Sequence, residues 1–340
     1  MLNVRFCHEI FSPSTPSARY CTIMNQGVQD KPNCLNLETV MACPVCGSHG
    51  LEPRFSVRQI TDDPLHSYAI DLDLPMVPVV ACRECRFLFK STRPSAAYLK
   101  RHYAESRENY LQSIGEDDVE FREDFRMARK LLVDAFPAGG SVLDVGCASG
   151  FFLESLGDKW DRHGVELFHL AVERSRSRPG IAVRECELTS AAFAREAFDA
   201  VCSFDVVEHL ADPMPLLQEA RRVLKPDGWL LIGTGNCSSL AARMAGSRWT
   251  YLCIPEHLSF FDPHSLKKGL TKAGFSIFKF MRIHHGLRSP SVASGWLRAV
   301  GKHWATTLCG EDIVRMRMFR QKTSNFLVPY FFDHMICIAR

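Results

Sequence analysis

The sequence predicts an α/β protein in which a doubly wound, mostly parallel sheet follows a small cysteine-stapled module. Three observations carry this. From Gly139-Gly140 onward, short apolar runs alternate with stretches of three- and four-residue apolar spacing, the pattern of stacked βαβ units. Ahead of them stand two C-x-x-C pairs, Cys43/Cys46 and Cys82/Cys85, the spacing of a metal-stapled module. The composition, 46% hydrophobic and 23% charged over 340 residues, is that of an ordinary globular chain with enough length for about two domains.

Several classes are excluded on this basis. No apolar run reaches the roughly 18 residues that a membrane-spanning helix needs. A net charge of +3 gives no strong bulk attraction for nucleic acid or acidic lipid, so any basic footprint is local. Residues 1–29 carry Arg5, His8 and Glu9 but no apolar core, which does not read as a secretory signal. Fourteen cysteines, ten of them outside the two pairs and without framework spacing, suit reduced thiols and a cytoplasmic location.

The chain divides into five parts. Residues 1–40 are poor in apolar positions and are expected to be a disordered tail. Residues 41–95 form the cysteine module, with strand-like stretches at 76–81 and 87–90. Residues 96–137 form a helical connector, with Phe121, Phe125, Ala128, Leu131 and Leu132 on one face. Residues 138–285 form the α/β core, with strands expected at 141–145, 163–167, 181–185, 198–204, 228–234 and 275–284 and a further strand at 334–340. Asp212-Pro213 starts a helix, a turn at 225–228 follows it, and residues 263–273 form another helix. Residues 286–340 form a cap of helices ending in that last strand.

The first core strand, Ser141-Val142-Leu143-Asp144-Val145, runs into Gly146-Cys147-Ala148-Ser149-Gly150 and then a helix. Glycines let the backbone turn sharply and approach a ligand, and the helix start offers unpaired N–H groups. The spacing is G-x-x-x-G, not the G-x-G-x-x-G that cradles a pyrophosphate, so a dinucleotide is disfavoured. Glu166 closes the next strand 22 residues after Asp144, where a doubly wound sheet holds ribose hydroxyls. Asp205 ends the strand that faces the same crevice.

LDVGCASG, GVEL, FDAVCSFDVVEHL and RRVLKPDGWLLIGTGN together resemble the successive motifs of class I S-adenosylmethionine-dependent methyltransferases over residues 138–285. That resemblance implies a Rossmann-like, seven-stranded sheet and an S-adenosylmethionine site. By it, Asp144, Gly146, Cys147 and Gly150 surround the methionine moiety, Glu166 holds the ribose, Glu187 lies near the adenine, and Asp205 borders the pocket. The other reading of the glycines is tight helix–strand packing in a different Rossmann-like protein, and Cys147 itself reads as a packed small residue.

Cys43, Cys46, Cys82 and Cys85, with 35 residues between the pairs, supply the four ligands of one tetrahedral zinc ion. Four thiolates leave no open position, so this metal would be structural. Reduced core thiols or a redox C-x-x-C are the competing readings. An amino-terminal four-cysteine segment before such a core also resembles deoxysugar methyltransferases, which implies a sugar, glycan-precursor or natural-product acceptor.

Two loops face that acceptor: residues 205–210 and residues 251–261. His257 and His209 are the candidate catalytic groups, since an unperturbed imidazole can take a hydroxyl proton near neutral pH. Ordering of the loop by His257 is the competing reading. The spacing of Asp205, Glu208 and His209 with a downstream His257 is similar to the divalent-ion site of magnesium-dependent small-RNA 2′-O-methyltransferases and, at its first part, to ubiquinone-pathway O-methyltransferases. It implies a second metal, Mg2+, at those four residues. The tail at 288–322, with Trp296, Trp304, Arg315 and Arg320, reads as a solvated helix face or as a peripheral membrane contact. The function expected from all this is methyl transfer to an oxygen of a small molecule. RNA methylation and a non-catalytic S-adenosylmethionine-binding scaffold are the alternatives, the first requiring binding that weakens steeply with salt.

Overall fold

In a computed structural model, the described residues are 37–58, 76–95, 98–99, 122–283 and 333–340. The expected disordered tail up to residue 36, most of the connector (100–121) and the cap segment 284–332 lie outside them.

The strands in chain order are β1 (Leu37–Thr39), β2 (Leu51–Val57), β3 (Val77–Cys82), β4 (Leu88–Lys90), β5 (Thr92–Pro94), β6 (Gly140–Val145), β7 (Trp160–Glu166), β8 (Ile181–Glu185), β9 (Phe198–Phe204), β10 (Leu224–Gly235), β11 (Ser259–Phe260), β12 (Phe278–Ile283) and β13 (His334–Ala339). The α-helices are α1 (Glu123–Ala135), α2 (Phe151–Leu156), α3 (His169–Arg176), α4 (Met214–Val223), α5 (Leu240–Ala245), α6 (Thr250–Cys253) and α7 (Pro263–Lys272).

Seven strands form one sheet in the order β12-β13-β10-β9-β6-β7-β8. β6 to β10 run parallel, and β13 inserts antiparallel between β10 and β12. This is the doubly wound, Rossmann-like fold of class I methyltransferases. The chain leaves β6 toward β7 and β8, then returns to β9 on the other side. The crevice at the carboxyl ends of β6 and β9 is therefore the switch point at which such sheets bind ligands.

The sequence dictates each piece locally. β6 and β9 are apolar on both faces, with Val142, Leu143, Val201 and Cys202 fully buried, as parallel strands covered by helices must be. α4 starts at Pro213, where Asp212 Oδ1 accepts the Met214 N–H at 2.9 Å, and it buries Leu216, Leu217, Ala220 and Val223. α7 begins with a capping box in which Ser265 N–H donates to Asp262 Oδ1 (2.7 Å) and Asp262 N–H donates to Ser265 Oγ (2.9 Å). The turn expected at 225–228 is instead drawn into β10. Its register shifts between Leu224 and Trp229, so the glycine and proline there make a bulge on a continuing strand.

The cysteine module is a second, four-stranded sheet, β11-β4-β3-β2, beside the β1–β5 ribbon. β2 and β1 were not expected from the sequence. Nor was β11, which comes from the core segment at 251–261 and pairs Ser259 with Phe89 and Phe260 with Leu88. Apolar packing continues across the junction: Phe87 and Phe261 lie 4.8 Å apart between ring centroids, and Val45, Phe89, Leu217 and Leu266 share the same buried cluster. No described helix is long and apolar enough to cross a membrane.

Candidate functional site

At the end of β6 the chain turns through Gly146, whose φ of +75° is left-handed. A Cβ there would lie 2.5 Å from Val206 Cγ2, so only glycine lets this turn sit against the loop after β9. Gly150, also left-handed, is the N-cap of α2. Cys147 turns its thiol toward β7, where a Cβ on Gly164 would meet Sγ at 2.5 Å, and burial raises its pKa well above the usual thiol value. It packs, as the sequence suggests, and its backbone rather than its sulfur lines the turn.

Asp144 is buried, and its Oδ1 has no hydrogen-bond partner among the described residues. Burial and the neighbouring Glu166 carboxylate push its pKa well up, against the pull of Arg122. Glu166 ends β7 as expected. Its Oε2 accepts the Ala148 N–H (2.9 Å) and its Oε1 accepts those of Leu167 (2.6 Å) and Phe168 (3.0 Å), which fixes the carboxylate against the glycine turn. Burial raises its pKa, and these three N–H groups oppose the rise. Glu187 stands exposed just past β8, at the start of a single 3-10 turn.

Asp205 adopts φ +53° directly after β9, an uncommon conformation for a side-chain-bearing residue. Its Oδ2 receives Arg122 Nη2 at 2.6 Å, and His334 Nε2 lies 3.9 Å from its Oδ1. Arg122 also ion-pairs with the buried Asp124 and covers the Phe125 ring at 4.1 Å. Burial works to lower the Arg122 pKa, but the Asp124 and Asp205 carboxylates outweigh it and raise it. On the far side, His334 Nδ1 is 2.9 Å from Asp333 Oδ1, while Trp249 Nε1 donates to Asp333 Oδ2 at 2.8 Å. Sequence reasoning missed Arg122, Asp124, Asp333 and His334. The only signal for the last two was an Asp-His pair ahead of the final strand.

The four residues grouped as a second metal site are not brought together as a set. Side-chain donors of Glu208, His209 and His257 lie within 4.8 Å of one another, but Asp205 is turned to Arg122. Glu208 is fully buried and already engaged: Tyr251 Oη donates to Oε1 (2.5 Å) and Thr234 Oγ1 to Oε2 (2.9 Å). Burial, and then the Asp205 charge, push its carboxyl up to about 8, so near neutral pH it holds its proton. A divalent ion needs that carboxylate ionised and facing it. With Asp205 turned away, three of the four donors converge, and as they stand they form a hydrogen-bonded cluster of acid, phenol and imidazoles. His257 Nδ1 lies 3.0 Å from the Tyr251 carbonyl, and the His209 and His257 rings meet edge to face at 4.7 Å. His257 is thus tied through Nδ1 to its own loop, and its ring packs against His209.

The four cysteines do converge. Cys43 and Cys85 sulfurs are 3.5 Å apart, as are those of Cys46 and Cys82, and all four lie within 4.8 Å. Sulfurs bound tetrahedrally at about 2.3 Å would be about 3.8 Å apart, close to this spacing. Each pair closes the same turn: Gly47 N–H donates to Cys43 O (2.8 Å) and Arg86 N–H to Cys82 O (2.9 Å), with both Gly47 and Arg86 left-handed. The Cys85 thiol beside Cys43 holds the latter's pKa down to about 5, while burial works against it. The pairs are thus preset as one four-sulfur donor set.

Comparison with known proteins gives these features a family context. A family model described as a methyltransferase domain matches residues 120–279. The chain is 30% identical over 152 residues to a ubiquinone biosynthesis O-methyltransferase of Cereibacter sphaeroides, covering 40% of this chain and 60% of that protein. It is 31% identical over 164 residues to the protein of the same name from a Ruegeria species, covering 44% and 65%. It thus spans about 60% of the length of the first of these relatives. A methyltransferase of known structure from Archaeoglobus fulgidus, described as S-adenosylmethionine-dependent, aligns at 18% identity with a TM-score of 0.42, covering 65% of this chain and 96% of that one. The residues matched by that family model include β6 to β10 of the parallel sheet. The seven-stranded sheet that these residues help to build has the Rossmann-like order of the class I fold.

Proposed function

We propose that the chain is an S-adenosylmethionine-dependent methyltransferase that methylates a hydroxyl oxygen of a small-molecule acceptor, a sugar, glycan precursor or natural product. The observation that carries this reading is Asp144: a buried carboxyl oxygen without a partner among the described residues, beside a turn that only glycine can make, at the switch point of the sheet. An unpaired buried oxygen costs free energy unless a ligand satisfies it, and a cationic ligand would also restore its ionised form. The names of the O-methyltransferase relatives support an oxygen acceptor.

When bound, the cofactor supplies a methyl group already activated on a sulfonium. The chain's own residues then have three tasks. Asp144, Gly146, Cys147 and Gly150 hold the methionine portion, Glu166 the ribose hydroxyls, and Glu187 borders the adenine. Asp205, anchored by Arg122, closes the crevice between donor and acceptor. His257 and His209 stand on the acceptor side, where one imidazole takes the hydroxyl proton as the acceptor oxygen attacks. Orientation of the two reactants supplies much of the acceleration, because the leaving group needs no further activation.

Cys43, Cys46, Cys82 and Cys85 hold a structural zinc ion on this reading, supported by the convergence of their sulfurs. The module at 41–95 and the core at 138–285 act together, and the ten described cysteines, all free thiols, suit a cytoplasmic setting. The test is transfer of labelled methyl groups into three pools: sugar nucleotides, phenolic small molecules, and total RNA, each at low and high salt. Label in a small-molecule pool with little salt dependence is expected. Label in RNA alone, lost steeply with salt, would replace this reading with RNA methylation. Cofactor binding without transfer to any pool would replace it with the scaffold.

A further inference from the structure

Besides its apolar packing on α4, α5 and α7, the cysteine module is hydrogen-bonded to the two loops proposed to face the acceptor. Lys90, at the end of β4, has no exposed surface. Its Nζ donates to the carbonyls of Ile254 (2.6 Å) and Pro255 (3.3 Å), three and two residues before His257. Its backbone N–H donates to Leu258 O at 2.9 Å, and Leu258 N–H in turn donates to Glu208 O at 2.7 Å. One peptide thus ties the module to both acceptor loops. Arg93, nearly buried on β5, makes the second tie: Nη1 donates to Ala211 O (2.6 Å) while Nε pairs with Glu38 (2.8 Å). Ser259 Oγ donates to Leu210 O at 2.7 Å, so the two loops are also joined to each other where β11 enters the module sheet.

A lysine buried this completely loses its hydration and is retained only where its ammonium has fixed acceptors. Here those acceptors are successive carbonyls of the loop that carries His257; burial lowers the lysine's pKa to about 7, against the pull of the Glu256 charge on the same loop, and the nitrogen donates to the carbonyls in either form. Interactions of this kind convert a flexible loop into one of defined geometry.

We propose that Lys90 is a positioning residue for the acceptor site: through it, and secondarily through Arg93, the cysteine module holds the 254–258 and 205–211 loops so that His257 and His209 keep their mutual geometry. The module is then a part of the acceptor pocket's frame and not a separate binding unit. This rests on the methyltransferase reading for what the loops do, but not for whether they are held.

The experiment is amide hydrogen exchange by mass spectrometry on the full chain and on Lys90→Met, which keeps the volume and removes the ammonium. Peptides covering 250–260 and 205–211 should exchange at least about tenfold faster in the variant, whereas those covering 140–150 and 198–204 should be unchanged. S-adenosylhomocysteine affinity by calorimetry should stay within about twofold. The imidazole NMR signals of His257, assigned with His257→Asn, should shift in Lys90→Met, which a general loss of stability far from the loop would not cause. Unchanged exchange in both loops and an unshifted His257 signal, in a folded variant, would overturn the proposal. If Lys90→Met does not fold, Arg93→Gln carries the test, with faster exchange expected at 205–211 and the same null result overturning it. Absence of S-adenosylhomocysteine binding by the unaltered chain would defeat the methyltransferase reading alone, since loop exchange is read without any ligand.

Discussion

The two sides of the crevice are built in different ways. On the proposed cofactor side, Asp144, Gly146, Gly150 and Glu166 come from two adjacent parallel strands and the turns that follow them, and Glu166 is fixed by the N–H groups of its own and the neighbouring turn. On the proposed acceptor side, Glu208, Thr234 and the loop that carries Tyr251 and His257 come from three separate segments joined by hydrogen bonds that span long stretches of chain, with Lys90 reaching in from the module. Local geometry makes the first site, and tertiary ties make the second. Damage to the module should therefore reach the acceptor side first, and damage to the glycine turn should stay on the cofactor side.

The largest effect should follow Cys85→Ser. Structural four-thiolate zinc contributes on the order of 10 kcal/mol of folding free energy to small modules. Loss of one ligand should release the metal, lower the melting temperature by more than about 10 °C, and loosen the acceptor loops before the core strands. Zinc quantification with differential scanning calorimetry checks this, and a metal-free variant with unchanged melting would break the comparison.

Next in size is Asp144→Asn, which keeps the shape and removes the charge. A lost charge-assisted contact is worth about 2 kcal/mol, or roughly a 30-fold weaker S-adenosylhomocysteine affinity. The sign of its pH dependence is also fixed. Burial raises the Asp144 pKa in the free protein, and a cationic ligand favours the ionised form, so binding should release a proton and tighten as pH rises. Calorimetry in buffers of different ionisation enthalpy should detect that proton in the wild type and lose it in the variant.

A smaller effect is expected at Glu208, whose folded-state pKa of about 8 lies above its ordinary 4.5. The folded protein then binds this proton more tightly than the unfolded chain, so the contribution is full below about 4.5 and is lost as pH rises through about 8. Urea denaturation from pH 5 to 8 should show that decline in the wild type and a flatter profile in Glu208→Gln. Glu208→Ala should cost about 1–2 kcal/mol, because Tyr251 and Thr234 lose a buried acceptor. The smallest effect concerns magnesium: millimolar Mg2+ should leave the melting temperature within about 1 °C, since Glu208 is protonated and hydrogen-bonded. A larger stabilisation would restore the ion site that the sequence spacing suggests.

The same contrast explains what could be read from the sequence. The parallel strands were legible because their runs are apolar on both faces, and the glycine turn because its residues are contiguous. The cysteine quartet was legible because two short pairs announce it. β11 was not, since two residues, Ser259 and Phe260, form a strand only because β4 offers them an edge. The partners of Asp205 were equally hidden. The D-x-x-E-H spacing puts Asp205 near Glu208 in sequence, yet a left-handed backbone at Asp205 aims its carboxylate at Arg122, 83 positions away. Periodicity and motif spacing report neighbours along the chain, whereas the acceptor side is made of neighbours across it.

The central claim is that the crevice beside Asp144 binds S-adenosylmethionine, and calorimetric titration of the zinc-loaded chain with S-adenosylmethionine and S-adenosylhomocysteine tests it most directly. Micromolar binding of both, weakened roughly 30-fold in Asp144→Asn and also lost in Glu166→Ala, is the predicted result. A folded, zinc-loaded protein that binds neither ligand would contradict it.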